Sequence, residues 1–311
     1  MATSPALSSS STPGRPSSVV LAAALAAVLL FWSGNYIVGK IALAHMSALT
    51  LVSFRFELSA VLLLGMYLSR RKRTALRPGD VWTFVYLGLL GFAVNQGCYM
   101  FGLAHTTSQH SVVIVALDPI LILMLASALK LERLTFAKVI GMVICFFGVL
   151  LLETEHGSPM HSPLLTGDLI TFAGAMGFSL YTVLGKRVSQ SYDSLSMNTF
   201  NATSTAVLFL PVAVRQGMAL DWKGVGWAGW AGLLYMAVLA AVTAYLLFYW
   251  LLRNMEASRV VAILYLQPVI VFLLSIPLLG EHLTWRVVAS AGLVITGVYL
   301  AEHVFKGKAT A

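Results

Sequence analysis

The chemistry in this sequence is concentrated in a few polar residues set inside long apolar runs. Asp118 and Glu57 lie near the middle of the apolar stretches 107–130 and 47–69, and Arg55 lies toward one end of the second. A charge held in hydrocarbon costs about 2.5–3.5 kcal/mol or more on insertion scales, so each such residue needs a partner, a water-filled cavity or a role. Asp118 and Glu57 are therefore candidate proton carriers, and Asp118 and Arg55 are candidate substrate contacts. Alternatively, each bonds structurally to a neighbouring helix. Arg55 and Glu57 are two positions apart, so they point from different helix faces and do not simply pair with each other.

Uncharged polar and aromatic residues recur at matched depth. They are Trp32, Asn35 and Tyr36, then Asn95, Gln96 and Tyr99, then Tyr181, Tyr245, Tyr249, Tyr265 and Gln267. Asn95 or Gln96 shares a helical face with Tyr99, and Tyr245 and Tyr249 are one turn apart. Together they suit a pocket for an amphipathic organic solute, with apolar walls and a few orienting groups. Singly, each also reads as an interfacial aromatic or an interhelical hydrogen bond.

Other motifs carry less. His105 and His110 are five apart, a poor spacing for a shared metal, and read as hydrogen-bonded or solvated loop histidines, with His110 a pH-sensitive group as the second reading. Glu132 and Glu281 read as acidic starts to the helices that follow them, or as anchors for a gate. Gly34 to Ile41 resembles a phosphate-binding loop, but Ile41 replaces the required hydroxyl and no strand precedes it. Its glycines read as sites of close packing within the first apolar segment. Cys98 and Cys145 lie in apolar runs without metal spacing. No metal or cofactor site is expected.

The elements that must position these residues follow from composition. Of 311 residues, 59% are hydrophobic and only 10% are Asp, Glu, Lys or Arg, too few to coat a water-facing surface. Ten apolar segments lie at about 18–42, 47–69, 80–103, 107–130, 135–153, 164–188, 194–214, 226–252, 257–279 and 284–304. In lipid the backbone must satisfy its own hydrogen bonds, so runs of this length are helices. Residues 1–17 read as a disordered tail, 154–163 as an outer linker and 305–311 as a tail.

With the N-terminus inside, fifteen Lys and Arg residues fall on the inner side, including the run from Arg70 to Arg77, and Arg215, Lys223 and Arg286 fall outside. That asymmetry puts both termini in the cytoplasm. The net charge of +8 is thus explained as a topology signal, and no nucleic-acid partner is expected.

The chain also repeats itself. Between Leu117 and Glu153, 12 of 37 residues recur 149 positions later, among them Pro119 with Pro268, Glu132 with Glu281 and Gly148 with Gly297. Ser33, Gly39 and Lys40 recur as Ser179, Gly185 and Lys186 at an offset of 146, and Arg55 meets Asn201 at the same offset. The expected fold is all-α and integral to the membrane, with ten transmembrane helices in two five-helix repeats, 18–153 and 164–304. Because five is odd, the second repeat is inverted. Inverted repeats characterise secondary transporters, whose halves exchange conformations around a site between them.

On FWSGNYIVGK at 31–40, LDPILILMLASALKLERLT at 117–135 and LQPVIVFLLSIPLLGEHLT at 266–284, the chain resembles EamA-type members of the drug/metabolite transporter superfamily over roughly 18–305. The resemblance implies ten helices, a central pocket and transport of small metabolites, often amino acids outward. Asp118 departs from the pattern, since the second half has Gln267 there. The expectation is thus an exporter of small organic solutes in the inner (plasma) membrane, monomeric or homodimeric, with lipid and possible proton partners. An integral membrane enzyme is the alternative, but HExxH and G-x-S-x-G patterns are missing from the sequence. A non-transporting sensor is the other, without a soluble output domain here.

Overall fold

The computed structural model describes residues 16–130, 135–154, 164–186, 188, 191–255, 264 and 266–303. Tyr265, Glu132, most of the 154–163 linker and the tail beyond His303 lie outside them, as does the side chain of Tyr249.

Among the described residues the regular structure is all helical. The helices are α1 (Ser18–Leu43), α2 (Ala48–Ser69), α3 (Val81–Gly88), α4 (Asn95–His105), α5 (Ser108–Val115), α6 (Asp118–Ala128) and α7 (Phe136–Glu153). The second half supplies α8 (Leu165–Gly185), α9 (Ser194–Ala219), α10 (Gly226–Leu234), α11 (Ala244–Asn254), α12 (Gln267–Leu279) and α13 (Trp285–His303). Seven continuous helical stretches are long and apolar enough to cross a membrane, and three shorter apolar helices fall at 138–152, 267–279 and 285–300.

Polar caps start several of these helices. The hydroxyls of Ser17, Ser47 and Thr107 accept from the amides of Val20, Thr50 and His110 at 3.3, 3.2 and 3.1 Å, each satisfying an orphan donor of a first turn. At the other end of α12, Gly280 adopts φ +67°, the left-handed turn that stops a helix and that glycine enters without penalty.

The interruptions come in pairs. A π-helical stretch, Leu89–Val94, joins α3 to α4, and another, Tyr235–Thr243, joins α10 to α11. Tyr235 stands 146 positions after Leu89. Likewise α6 and α12 begin at Asp118 and Gln267, each just before a proline. Proline lacks an amide proton and restricts the residue before it, so the helical ladder breaks between α5 and α6, and α12 starts at the equivalent place.

Packing between the halves is reciprocal. Helix α1 packs on α10, α11 and the π stretch between them, and α8 packs on α3, α4 and theirs. Helix α1 also packs on α12 as α8 does on α6, while α2 pairs with α9 and α7 with α13. The reciprocity reaches single atoms. A Cβ on Gly148 would meet Val294 Cγ2 at 2.9 Å and the Ser290 carbonyl at 3.1 Å. A Cβ on Gly297 would meet Cys145 Sγ and the Gly141 carbonyl, both at 2.6 Å. These two contacts of one glycine are the other's shifted by 149 positions.

Candidate functional site

The helices bring several of the candidate polar residues together between the halves. Asn35 Nδ2 donates to Tyr99 Oη at 3.1 Å, and the Tyr36 and Tyr99 rings meet edge to face at 5.3 Å. Trp32 donates from Nε1 to the Ala240 carbonyl at 3.1 Å and packs on Tyr245 and Phe248, both at 5.2 Å. The accepting carbonyl lies in a π stretch, whose shifted ladder frees carbonyls for partners outside the helix.

Beside this aromatic group is a cavity of about 20 Å³, room for a water rather than a solute. Arg55, Phe56 and Ser59 from α2, Gly91, Phe92 and Gln96 from the α3–α4 junction, and Ala241 and Tyr245 line it. Arg55 is 3% exposed, and its Nη1 has no hydrogen-bond partner. Ser59 Oγ, Glu57 Oε1 and Asp118 Oδ1 are likewise buried without one. Ser59 follows Arg55 by one turn on the same face, a spacing legible in the sequence. Phe56, Gly91, Phe92 and Ala241 were not legible, because nothing distinguishes them from other apolar positions until α2 meets the two π stretches.

Several candidates bridge helices instead. Asn95 Nδ2 donates to the Gly174 carbonyl of α8 at 3.1 Å, and Asn95 Oδ1 accepts from Gln96 Nε2 at 2.5 Å. Tyr181 accepts from Asn201 Nδ2 at 3.3 Å, and its ring lies against Gly91. Asp118 begins α6, where its carbonyl accepts from Ser179 Oγ at 3.5 Å. Gln267 is partly buried at the start of α12.

The two ends of the bundle differ. At one end, His110 Nδ1 meets Asp168 Oδ2 at 2.8 Å, with both side chains almost fully buried. Thr106 Oγ1 donates to the other Asp168 oxygen at 2.5 Å. Lys40 Nζ donates to the carbonyls of Thr106 and, at 2.6 Å, Leu103, neutralising the C-terminal end of α4. Glu281 accepts from Ser108 N at 2.8 Å, Ser108 Oγ at 2.7 Å and Gln109 N at 3.3 Å. So Glu281 does not start the helix that follows it; Thr284 caps α13, and Glu281 satisfies the N-terminus of α5 in the other half. His110 is likewise no solvated loop histidine but sits in the first turn of α5. Nothing in the sequence singles out Asp168, its partner, which lies near the end of an apolar run.

At the opposite end is a larger cavity of about 480 Å³, lined by Arg77, Asp80, Thr83, Tyr86, Leu184 and Tyr192 among others. Tyr192 Oη donates to Asp80 Oδ2 at 2.7 Å and accepts from Arg77 N at 3.1 Å. Arg70 pairs with Asp193 at 3.0 Å across this end. Desolvation pushes the Asp193 carboxyl up, but hydrogen bonds from Ser196 and Thr74 and the Arg70 charge outweigh it and hold the group below its usual range.

The sequence matches the EamA-like transporter family over residues 18–154 and 165–302. An uncharacterized transporter of Archaeoglobus fulgidus is 26% identical over 280 residues, covering 89% of this chain and 96% of that one. The uncharacterized transporter YyaM of Bacillus subtilis is also 26% identical, covering 89% and 92%. A WAT1-related protein of Arabidopsis thaliana is 24% identical, covering 91% and 81%. One solved crystal structure superposes with a TM-score of 0.62 at 18% identity, over 92% of this chain and 97% of that one, which establishes likeness of fold.

Proposed function

The chain belongs to the EamA-like transporter family and is a multi-pass membrane protein, and we propose that it is a secondary transporter exporting small organic metabolites by alternating access. The observation that carries this reading is the pairing of helix interruptions. The π stretches at 89–94 and 235–243, and the helix starts just before Pro119 and Pro268, recur at the repeat offsets. The π stretches meet at the cavity lined by Arg55, Gln96 and Tyr245. Broken helices near mid-membrane are where transporters hold substrate and bend.

In this reading ten helices form two inverted repeats, with both termini in the cytoplasm of a cell whose plasma membrane holds the protein. The reciprocal packing supports it. The end carrying His110, Asp168 and Glu281 then faces outward and is closed. The larger cavity at Arg77 and Tyr192 faces the cytoplasm. Tyr181, one turn from Leu184 of that cavity and packed on Gly91 of the central one, is the inner gate. The substrate is an amphipathic solute such as an amino acid, contacted by Trp32, Tyr36, Tyr99 and Tyr245. Asp118, with Glu57 as the other candidate, carries the coupled proton.

Reconstitution tests this. Proteoliposomes holding the purified chain, loaded with an unlabelled solute, should accumulate the labelled solute transiently by counterflow. A panel of neutral, anionic and cationic metabolites should contain at least one such solute. Failure of every charge class, with the protein folded and inserted, would remove the transporter reading.

A further inference from the structure

Among the described residues at the centre, Asn35, Gln96 and Tyr99 each make at least one side-chain hydrogen bond, whereas Arg55 Nη1 makes none. Arg55 is 3% exposed, with Nη1 buried and unpaired. Two carboxyls lie within the apolar stretches, Glu57 and Asp118, yet neither forms an ion pair with it. Glu57 leaves the same helix from another face, and Glu57 Oε1 and Asp118 Oδ1 are themselves without partners.

The repeat supplies an internal control. At the 146 offset, Arg55 corresponds to Asn201 and Asn35 to Tyr181. In the second half this pair bonds to itself, Asn201 Nδ2 donating to Tyr181 Oη at 3.3 Å. A neutral amide therefore suffices to tie the two helices at this position. In the first half Asn35 turns instead to Tyr99 Oη, at 3.1 Å, and a guanidinium stands where the tie would be. Removing a charge from water without a partner costs several kcal/mol, so the structural role alone does not account for arginine here.

We infer that Arg55 is the seat for the carboxylate of an organic solute with an apolar body. This rests on the transporter reading and adds the substrate class. The planar fork of a guanidinium matches a carboxylate through two parallel hydrogen bonds. Tyr99 Oη accepts from Asn35, so its own proton is not used in that bond. Phe56 and Phe92 supply the apolar wall. A phosphate, with up to two charges, would call for more than one cation, and Arg55 is the only Lys or Arg among the residues lining this cavity. At about 20 Å³ the seat is closed in this conformation, and it opens where the two π stretches flank it.

The test uses the purified full chain in lipid nanodiscs. The probes are isocaproate, 3-phenylpropionate and the proteinogenic amino acids, each against its primary amide. Carboxylates should raise the melting temperature of the wild type, and the amides should not. Arg55→Gln should abolish the rise, and Arg55→Lys, which keeps the charge without the fork, should weaken binding roughly tenfold. With no ligand, Arg55→Met should melt a few degrees higher than the wild type, because an uncompensated charge is gone. The seat is overturned if no carboxylate stabilises the wild type, if amides do so equally, if Arg55→Gln binds a carboxylate as tightly, or if Arg55→Met melts lower. Should the glutamine variant not fold, the lysine variant decides alone: unweakened binding overturns the seat. Counterflow of a neutral or cationic solute alone would sink the carboxylate seat and leave the transporter reading standing.

Discussion

At the scale of single residues, the centre of the protein holds acceptors and a donor in excess of what helix packing uses. Asp118 is the clearest acceptor. Its carbonyl is bonded to Ser179, yet its carboxyl oxygen Oδ1 is buried without a partner, and its repeat partner Gln267 cannot titrate. A carboxyl needed only to tie helices would use both oxygens. Asp118→Asn should therefore abolish solute accumulation driven by a pH gradient while leaving exchange at equal pH largely intact, since exchange moves no net proton. Paired flux assays on proteoliposomes read both activities. Gradient-driven transport at the wild-type rate by a well-folded variant would eliminate the carrier role. Loss of both activities would assign Asp118 to the substrate instead. His110 and Asp168 are the opposite case. Each is buried and bonded to the other, and removing one partner would leave the other's buried polar atom unsatisfied, at a cost of about 1–3 kcal/mol.

At the scale of elements, the two halves touch where small residues let backbones approach. Helices α7 and α13 meet at Gly148 and Gly297, and Cys145 Sγ donates to the Val294 carbonyl at 3.4 Å between them. In lipid the hydrophobic effect does not drive helices together, so such close contact supplies much of the association. The two glycines are not equivalent. The nearest obstacle to a Cβ on Gly148 is a valine methyl at 2.9 Å, whereas on Gly297 it includes a backbone carbonyl at 2.6 Å, which cannot step aside. Gly297→Ala should therefore destabilise the chain by about 1–3 kcal/mol, and Gly148→Ala by clearly less. Thermal unfolding of both variants in one detergent checks the order, and equal losses would contradict the packing.

At the scale of the whole molecule, one end is tied across the halves by buried polar bonds and the other holds the larger cavity. If the tied end faces outward, reporter fusions after Arg73 and Lys186 should report cytoplasm, and one after Thr154 should report the outside. A cytoplasmic signal after Thr154 would contradict the inverted arrangement, because the first half would then cross the membrane an even number of times.

The helical membrane class, the repeat and the family were legible in the sequence because each rests on a one-dimensional quantity. Length of apolar run, register of Pro, Glu, Thr and Gly, and motif order do not depend on how helices pack. The proline breaks were legible too, since a missing amide proton is local chemistry. The division of labour among the polar residues was not. Asn95 bonds to α8 and Tyr181 to α9, while Arg55, Gln96 and Tyr245 line the central cavity and Asn35, Tyr36 and Tyr99 contact one another. Glu281 serves a helix that begins 173 residues earlier in the chain. Hydrogen-bond partners are chosen by distance in space, and a sequence carries no distance between α2 and the π stretches that close around Arg55. Only the tertiary structure brings those elements together, and so only it decides which buried polar groups are satisfied and which remain for a ligand.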